Sequence, residues 1–256
     1  MIIAERQSRL RELLAERGMS DLESLAGELK VSLSTVRRDI DLMVEQRLVN
    51  RTHGGVIWIG DRSAPNQRPY AFDQRMEFAV GAKRQIARAA RELVQPGETI
   101  LLDGGTTTFY LAEQLLGQPL QIVTNSLPIA NLFLNDEHAE LVLTGGLMYP
   151  RYGVLLGPTA ESVLATIHTK TMFFSVAGIH EGSLYNQNLL LVQAEQRMMK
   201  QAQRTVLLAD SEKFGQQALS KLCPLGDIDT VVVDSKISRA HQKLVREAGC
   251  ELIIAE

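Results

Sequence analysis

Across residues 99–255, short apolar runs alternate with amphipathic stretches, and this alternation constrains the fold more than any other feature of the sequence. Each apolar run has the length of one buried strand, whereas apolar residues recur at helical spacing in the stretches between them. Such an alternation predicts a parallel sheet covered on both faces, and therefore an α/β domain. The predicted strands are 99–103, 121–124, 140–144, 171–177, 205–210, 230–234 and 251–255. The predicted helices between them are 107–116, 127–134, 159–166, 192–203 and 239–248.

Small polar residues follow the first three of these strands. In an open parallel sheet, loops at the carboxyl ends of the strands line the ligand crevice. Glycines there let an anion approach backbone N–H groups at a helix start, and hydroxyls add donors. Ordinary turns also favour these residue types, but three such loops in succession favour a phosphate or polyol site. The candidate effector-binding residues in these loops are Asp103, Gly104, Gly105, Thr106, Thr107, Thr108, Thr124, Asn125, Ser126, Gly145 and Gly146.

A fourth candidate loop, residues 210–215, follows another apolar strand and contains Lys213. Lys213 could reach the same crevice as a point charge for an anion. It is equally compatible with an exposed loop lysine, so we add it to the candidate effector-binding residues with both interpretations open. Glu195, Arg197 and Lys200 fall on one predicted helix, where a solvated face is the favoured interpretation.

The first 58 residues have a different pattern, with two short amphipathic helices close together. Residues 20–23 have capping-box spacing at the start of the first helix. In the second helix the apolar residues share one face, and Ser34, Arg38 and Glu45 lie nearly opposite. Two such helices indicate a helix-turn-helix, although an ordinary helical bundle shows the same periodicity. The apolar face consists of Leu33, Val36, Ile40, Met43 and Val44.

Residues 47–58 read as strand, Gly-Gly turn and strand, which predicts a hairpin wing after the second helix. Arg38 is the candidate for a base-edge contact, because bidentate arginine to guanine is the commonest specific pairing. Arg37 suits a phosphate contact or a pair with Asp41, and the wing residues Arg51 and His53 suit phosphate contacts. The candidate DNA-binding residues are Ser32, Ser34, Thr35, Arg37, Arg38, Arg51 and His53.

These motifs resemble a known family. The segment 31–39 (Val-Ser-x-x-Thr-Val-Arg-Arg-Asp) and the wing 51–55 (Arg-Thr-His-Gly-Gly) resemble the winged helix-turn-helix of the DeoR/GlpR transcriptional regulators. Residues 76–234 resemble the effector domain of the same family, through the loops named above. That domain is related to ribose-5-phosphate isomerase, so the resemblance implies a phosphorylated sugar as effector. We expect a winged helix-turn-helix at 1–58, a polar, proline-containing linker at 59–75 and an effector domain at 76–256.

Charge and cysteine content restrict the function classes further. The net charge of −3 argues against a general nucleic-acid coat, and residues 1–57 carry nine Arg or Lys against nine Asp or Glu. Cys223 and Cys250 lack metal-ligand spacing, which indicates reduced packing residues in a cytoplasmic protein without a metal or cofactor. No apolar run approaches the roughly 18 residues that a membrane span needs, and charged residues at Glu5 and Arg6 argue against a signal peptide.

The sequence therefore predicts a repressor of sugar-metabolism genes that binds a double-stranded DNA operator. We expect an even-numbered homo-oligomer, which suits a palindromic or repeated operator. The alternative is an isomerase-like enzyme with an accessory winged helix, for which Asp103, Glu181, Glu195 and Asp210 are available as carboxylate bases. Because the strand-end loops carry mostly neutral donors, binding is favoured over catalysis. A protein-binding adaptor is a third, weaker hypothesis.

Overall fold

The computed structural model describes residues 3–17, 19–45, 48–52, 55–58 and 71–256. The chain divides into two compact units, residues 1–78 and 79–256. Most of the predicted linker, residues 59–70, lies outside the described residues. Among the described residues, no helix is long and apolar enough to cross a membrane.

The first unit is a helical core with a small antiparallel sheet. The sheet order is β1-β3-β2, and Met19 in β1 pairs with Ile57 in β3. Leucines of the first helix pack with Val36, Ile40 and Trp58 in one buried cluster. Its elements are α1 (Ile3–Arg17), β1 (Met19–Ser20), α2 (Leu22–Leu29), α3 (Leu33–Glu45), β2 (Val49–Thr52), β3 (Gly55–Trp58) and α4 (Phe72–Met76). The predicted winged helix-turn-helix is therefore present, with α3 in the place of the recognition helix.

Two local predictions in this unit need correction. The side chain of Asp21, not Ser20, caps α2 by accepting a hydrogen bond from the Ser24 N–H at 2.8 Å. Ser20 belongs instead to β1, a strand too short to predict from its sequence. On α3, Val44 is 36% exposed, whereas Val36 and Ile40 are fully buried. The buried stripe of α3 is therefore narrower than its apolar residues indicate.

The second unit contains a seven-stranded parallel sheet. All seven predicted strands take part in it, in the order β15-β14-β12-β9-β4-β5-β6. The α/β fold class is therefore confirmed. The strands of this sheet are β4 (Thr99–Leu102), β5 (Gln121–Thr124), β6 (Glu140–Leu143), β9 (Thr169–Phe174), β12 (Ala202–Leu208), β14 (Thr230–Asp234) and β15 (Glu251–Ala255). The helices are α5 (Val80–Arg91), α6 (Thr106–Leu115), α7 (Leu127–Leu132), α8 (Pro158–Leu164), α9 (Leu189–Met199) and α10 (Arg239–Glu247).

Both faces of the sheet are covered at its centre. Every residue of β14 is buried, and four consecutive residues at the end of β9 are buried as well. Because successive side chains of a strand point to opposite faces, continuous burial requires packing on both sides. This burial explains the apolar runs at residues 231–233 in β14 and 172–174 in β9.

Two smaller antiparallel sheets were not predicted. One is a hairpin of β7 (Leu147–Tyr149) and β8 (Val154–Leu156). The other has the order β10-β11-β13, from β10 (Gly178–His180), β11 (Ser183–Asn186) and β13 (Ser220–Pro224). Their strands are three to five residues long, and two of them are polar, so the apolar pattern does not mark them.

Helix α9 also begins earlier than predicted, because Asn188 caps it.

Candidate functional site

The outward side of α3 presents hydroxyl groups at its N-terminus and two arginines one turn later. The Ser32 Oγ accepts a hydrogen bond from the Thr35 N–H at 3.3 Å and lies 2.9 Å from the Ser34 Oγ. Arg37 and Arg38 are exposed. A helix start that gathers hydroxyls beside exposed guanidinium groups can donate hydrogen bonds to phosphate oxygens and base edges.

The inward side of α3 is held by a partly buried ion pair that helical periodicity does not predict. The Arg6 Nε donates to Asp39 Oδ2 at 2.6 Å, and its Nη2 donates to Oδ1 at 3.1 Å. The Gln7 amide donates to the same carboxylate at 3.3 Å. This pairing raises the pKa of Arg6 above its ordinary value. Because Asp39 follows Arg38 directly, the pair ties α1 to the element that carries the candidate contacts.

The wing residue Arg51 is engaged within the protein. Its Nη2 donates to Asp41 Oδ1 at 2.5 Å and to the Arg37 carbonyl oxygen at 3.3 Å. Asp41 on α3 therefore pairs with Arg51 of the wing. The sequence had suggested a pair between Asp41 and Arg37 as one of two options for Arg37. The other candidate wing residue, His53, lies outside the described residues.

In the second unit, the loop after β4 leads directly into α6. Gly105 is the N-cap residue of this helix, and as a glycine it provides no side-chain cap. Backbone N–H groups at such a helix start are available to an anion. The candidate Asp103 lies in this loop, Thr106 and Thr107 form the first turn of α6, and all three are buried.

The glycines of this loop are required by close approach of their neighbours. A Cβ atom on Gly104 would lie 2.1 Å from the Val154 Cγ1, and one on Gly105 would lie 2.0 Å from the Ser175 Oγ. The loop after β4 therefore contacts β8 on one side and the end of β9 on the other. Neither Val154 nor Ser175 was among the predicted site residues, because their proximity depends on the tertiary fold.

Several candidate hydroxyls hold the loops together. The Thr108 Oγ1 donates to the carbonyl oxygens of Asp103 and Gly105 at 2.6 and 2.7 Å. The Thr124 Oγ1 donates to Leu102 O at 2.7 Å. The Ser126 Oγ caps α7 by accepting from the Ile129 N–H at 3.4 Å. These three hydroxyls fix the conformations of the loops, which leaves ligand contacts to other groups.

Asn125 is the polar group in this region whose hydrogen bonds are left open. Its side chain is 1% exposed, and neither Oδ1 nor Nδ2 has a hydrogen-bond partner among the residues that the structure describes. A Cβ atom on Gly104 would lie 3.6 Å from the Asn125 Oδ1, so the amide is next to this glycine. Buried amides are almost always hydrogen-bonded, so an orphaned one next to a glycine loop marks a place where a ligand can bind.

The remaining candidates flank this centre on both sides. Lys213 is half-buried and follows β12, whereas Gly145 and Gly146 follow β6. Those strands are four steps apart in the sheet, or roughly 19 Å at about 4.8 Å per step. One small ligand cannot span that distance. A Cβ atom on Gly146 would also lie 2.6 Å from the Leu156 carbonyl oxygen, so this glycine is explained by packing.

The carboxylates considered for catalysis are largely committed to structure. Glu195 Oε1 accepts from the Asn186 amide at 2.6 Å, and Asp210 Oδ1 accepts from the Glu212 N–H at 3.2 Å. Glu181 is 84% exposed in the turn between β10 and β11. Within the part of the chain that the structure describes, no group of three or more His, Cys, Asp or Glu side chains could hold a metal ion.

Comparison with known families assigns both units. Residues 6–61 match the DeoR-like helix-turn-helix domain, and residues 79–235 match the DeoR C terminal sensor domain. A DNA-binding domain and a sensor domain in one chain define a transcription regulator. The chain belongs to the DeoR family, as the sequence motifs predicted. It is a regulator rather than the isomerase-like enzyme that was the alternative.

Relatives match along nearly the whole chain. UlaR of Shigella dysenteriae serotype 1 is 32% identical over 254 residues, which cover 99% of each chain. A candidate aga operon transcriptional repressor of Escherichia coli O157:H7 is 31% identical, over 98% of this chain and 93% of the relative. The L-fucose operon activator of Haemophilus influenzae is 30% identical, over 89% of this chain and 90% of the relative.

Similarity to solved structures is weaker. Ribose 5-phosphate isomerase A of Methanocaldococcus jannaschii aligns with 52% of this chain and 53% of its own, at 19% identity and a TM-score of 0.38. At that level the likeness carries no argument about ligand or activity.

Proposed function

We propose that this protein is an operator-binding regulator of carbohydrate-utilisation genes whose DNA affinity is controlled by a phosphorylated sugar. The names of the relatives, which refer to the aga and L-fucose operons, support the sugar connection. We further propose that it acts as a repressor in the cytoplasm. One of those relatives is named a repressor and the other an activator, so a reporter assay is needed to test the sign of regulation. If this protein is a repressor, deleting its gene should increase transcription from its operator.

We assign the DNA contacts to the outward side of α3 and to the wing. Ser32, Ser34 and Thr35 at the helix start contact phosphate or base edges, and Arg38 reads a base. Arg37 binds the backbone phosphates. The hydroxyl cluster and the exposure of both arginines support this assignment. Arg51 and His53 of the wing are proposed as phosphate contacts.

The effector site is proposed at the junction of the loops after β4 and β5. The orphaned amide of Asn125 is the observation that carries this proposal. In this assignment the phosphate binds the N-terminus of α6 near Gly105 and Thr106, and the Asn125 amide hydrogen-bonds a sugar hydroxyl. Lys213 approaches from the β12 side as a counter-charge.

Control of DNA binding requires that the effector bind two arrangements of the regulator unequally. We propose an even-numbered homo-oligomer in which contacts between sensor domains change on effector binding. Measuring the mass of the protein by sedimentation, with and without effector, tests this part. A monomer under both conditions would exclude it.

A thermal-shift panel tests the effector site. Phosphorylated pentoses, hexoses and their free sugars are compared at equal concentration. The proposal predicts stabilisation by one or more phosphorylated sugars, at about 2.7 kcal/mol when the ligand is at a hundred times its Kd. Equal shifts with the free sugars, or shifts that persist in Asn125→Leu, would contradict the assignment.

A further inference from the structure

The DNA-facing side of α3 carries a carboxylate that the proposed contacts do not use. The side chain of Asp41 is 60% exposed and pairs with the Arg51 guanidinium, which is 46% exposed. The same Arg51 nitrogen also donates to the Arg37 carbonyl oxygen, so the guanidinium of this wing arginine packs against α3. In the free protein, therefore, a cation proposed to bind phosphate is already bound to an anion.

This pair can be exchanged at small cost. Ion pairs between exposed side chains contribute little, because solvent screens them and both side chains must be ordered. A DNA phosphate offers Arg51 the same kind of oxygen acceptor, with the added gain of counterion release. The exchange leaves the Asp41 carboxylate close to a polyanion, which opposes binding.

We propose that Asp41 competes with DNA phosphate for Arg51 and thereby sets the strength of sequence-independent binding. Arg51 is bound to Asp41 in the free protein and moves to a phosphate oxygen in the complex. Both the exchange and the exposed carboxylate weaken binding to any duplex, so tight binding depends on base contacts from the rest of α3. The inference rests on the proposed docking of α3 against DNA.

This role agrees with the charge balance of the DNA-binding unit. Residues 1–57 carry nine basic and nine acidic residues, so the unit has no general cationic field. Most of the sequence-independent attraction must come from a few placed arginines, and one of them is neutralised by Asp41 until DNA arrives.

A double-mutant cycle on the full chain tests the exchange. The probes are a duplex selected from a random pool by the protein and a scrambled duplex of the same composition. Fluorescence anisotropy should show that Asp41→Asn binds both duplexes about two- to fivefold more tightly. Arg51→Gln should weaken binding, and by a larger factor in the Asp41→Asn background, where the phosphate contact has no competitor.

The opposite sign of coupling would overturn the proposal. If Asp41 and Arg51 stayed paired on DNA as a clamp, Asp41→Asn would weaken binding, and Arg51→Gln would then cost less in that background. Unchanged affinity in Asp41→Asn would also refute the competition.

Glu12→Gln is the matched control, because it removes an exposed carboxylate paired with Arg9 on α1 and should leave both affinities unchanged. Loss of discrimination between the two duplexes in Arg38→Ala tests the docking of α3 separately. A failure of the exchange can therefore be told apart from a failure of the docking.

Discussion

The buried side-chain amide of Asn125 lowers the stability of the fold, because its polar atoms lack hydrogen-bond partners among the described residues. Leaving both polar atoms of a buried amide without partners costs about 1–3 kcal/mol. We propose that a ligand supplies the missing hydrogen bonds, so that function and stability compete at this residue. The neighbouring Thr108 and Thr124 show the contrast, since their hydroxyls are satisfied by backbone carbonyl groups.

Replacing Asn125 by leucine separates the two contributions. Asn125→Leu removes two unsatisfied polar atoms at similar volume, so the ligand-free protein should be as stable as wild type or more stable by up to about 2 kcal/mol. The stabilisation by phosphorylated sugar should disappear. Chemical denaturation with and without ligand measures both effects, and a large loss of ligand-free stability would show that the amide is satisfied.

Arg38 carries the prediction for base recognition. Arg38→Ala should lose about 1–3 kcal/mol of operator affinity while binding to scrambled DNA changes much less. The residue is exposed, so the fold should be unaffected. Arg88→Ala, which removes an exposed arginine from α5 in the sensor domain, is the charge-matched control. Equal losses on both duplexes would assign Arg38 to phosphate instead.

The two cysteines should be unreactive in the folded protein. Burial raises the pKa of the Cys223 thiol to about 12, and burial also raises the pKa of Cys250. Because the thiolate is the nucleophile, alkylation by iodoacetamide at pH 8 should be slow until the protein is unfolded. Mass spectrometry of native and urea-treated samples checks this. Rapid labelling of Cys223 in the native protein would show that the site opens.

Among the secondary-structure elements, the sequence predicts the alternating strands and helices of the parallel sheet but not the short antiparallel strands. The seven strands of the parallel sheet were predicted because each contains a short apolar run, and the inner strands are buried on both faces. The β7–β8 hairpin and the β10-β11-β13 sheet were missed because their strands are short or polar. Since β8 contacts the Gly104 loop, part of the proposed effector site could not be predicted from the sequence.

The DNA-binding unit shows a second limit of the sequence. The periodicity of α3 predicted which side faces out, but it gave no sign that Asp39 is buried against Arg6 or that Asp41 holds Arg51. Both contacts join residues more than nine positions apart, and helical spacing carries no information at that range. The sequence therefore predicted that the outward side of α3 is exposed, but not the hydrogen bonds that its charged residues make.

The Arg6–Asp39 pair predicts how α1 and α3 are held together. Arg6→Met should destabilise the first unit by about 3 kcal/mol, because the carboxylate of Asp39 is left buried and unpaired. The double variant Arg6→Met with Asp39→Leu should recover most of that loss. The single tryptophan, Trp58, lies in the core of this unit, so its fluorescence during urea unfolding reports the local stability. An additive double variant would contradict the pairing.

At the scale of the whole molecule, one domain reads DNA and the other senses a ligand. A ligand changes operator occupancy only by the ratio of its affinities for the two states, and operator DNA must change ligand affinity by the same factor. This reciprocity links the proposed crevice at Asn125 to the proposed contacts of α3 without reference to any path between them.

The most direct test is the operator affinity of the full-length protein, titrated with the phosphorylated sugar that gives the largest thermal shift. Operator affinity should change by about 5–150-fold at saturation, while the free sugar at equal concentration should have no effect. The same titration with Asn125→Leu should leave operator affinity constant. If a sugar phosphate binds the protein but leaves its operator affinity unchanged, the sensor domain does not control DNA binding through that ligand.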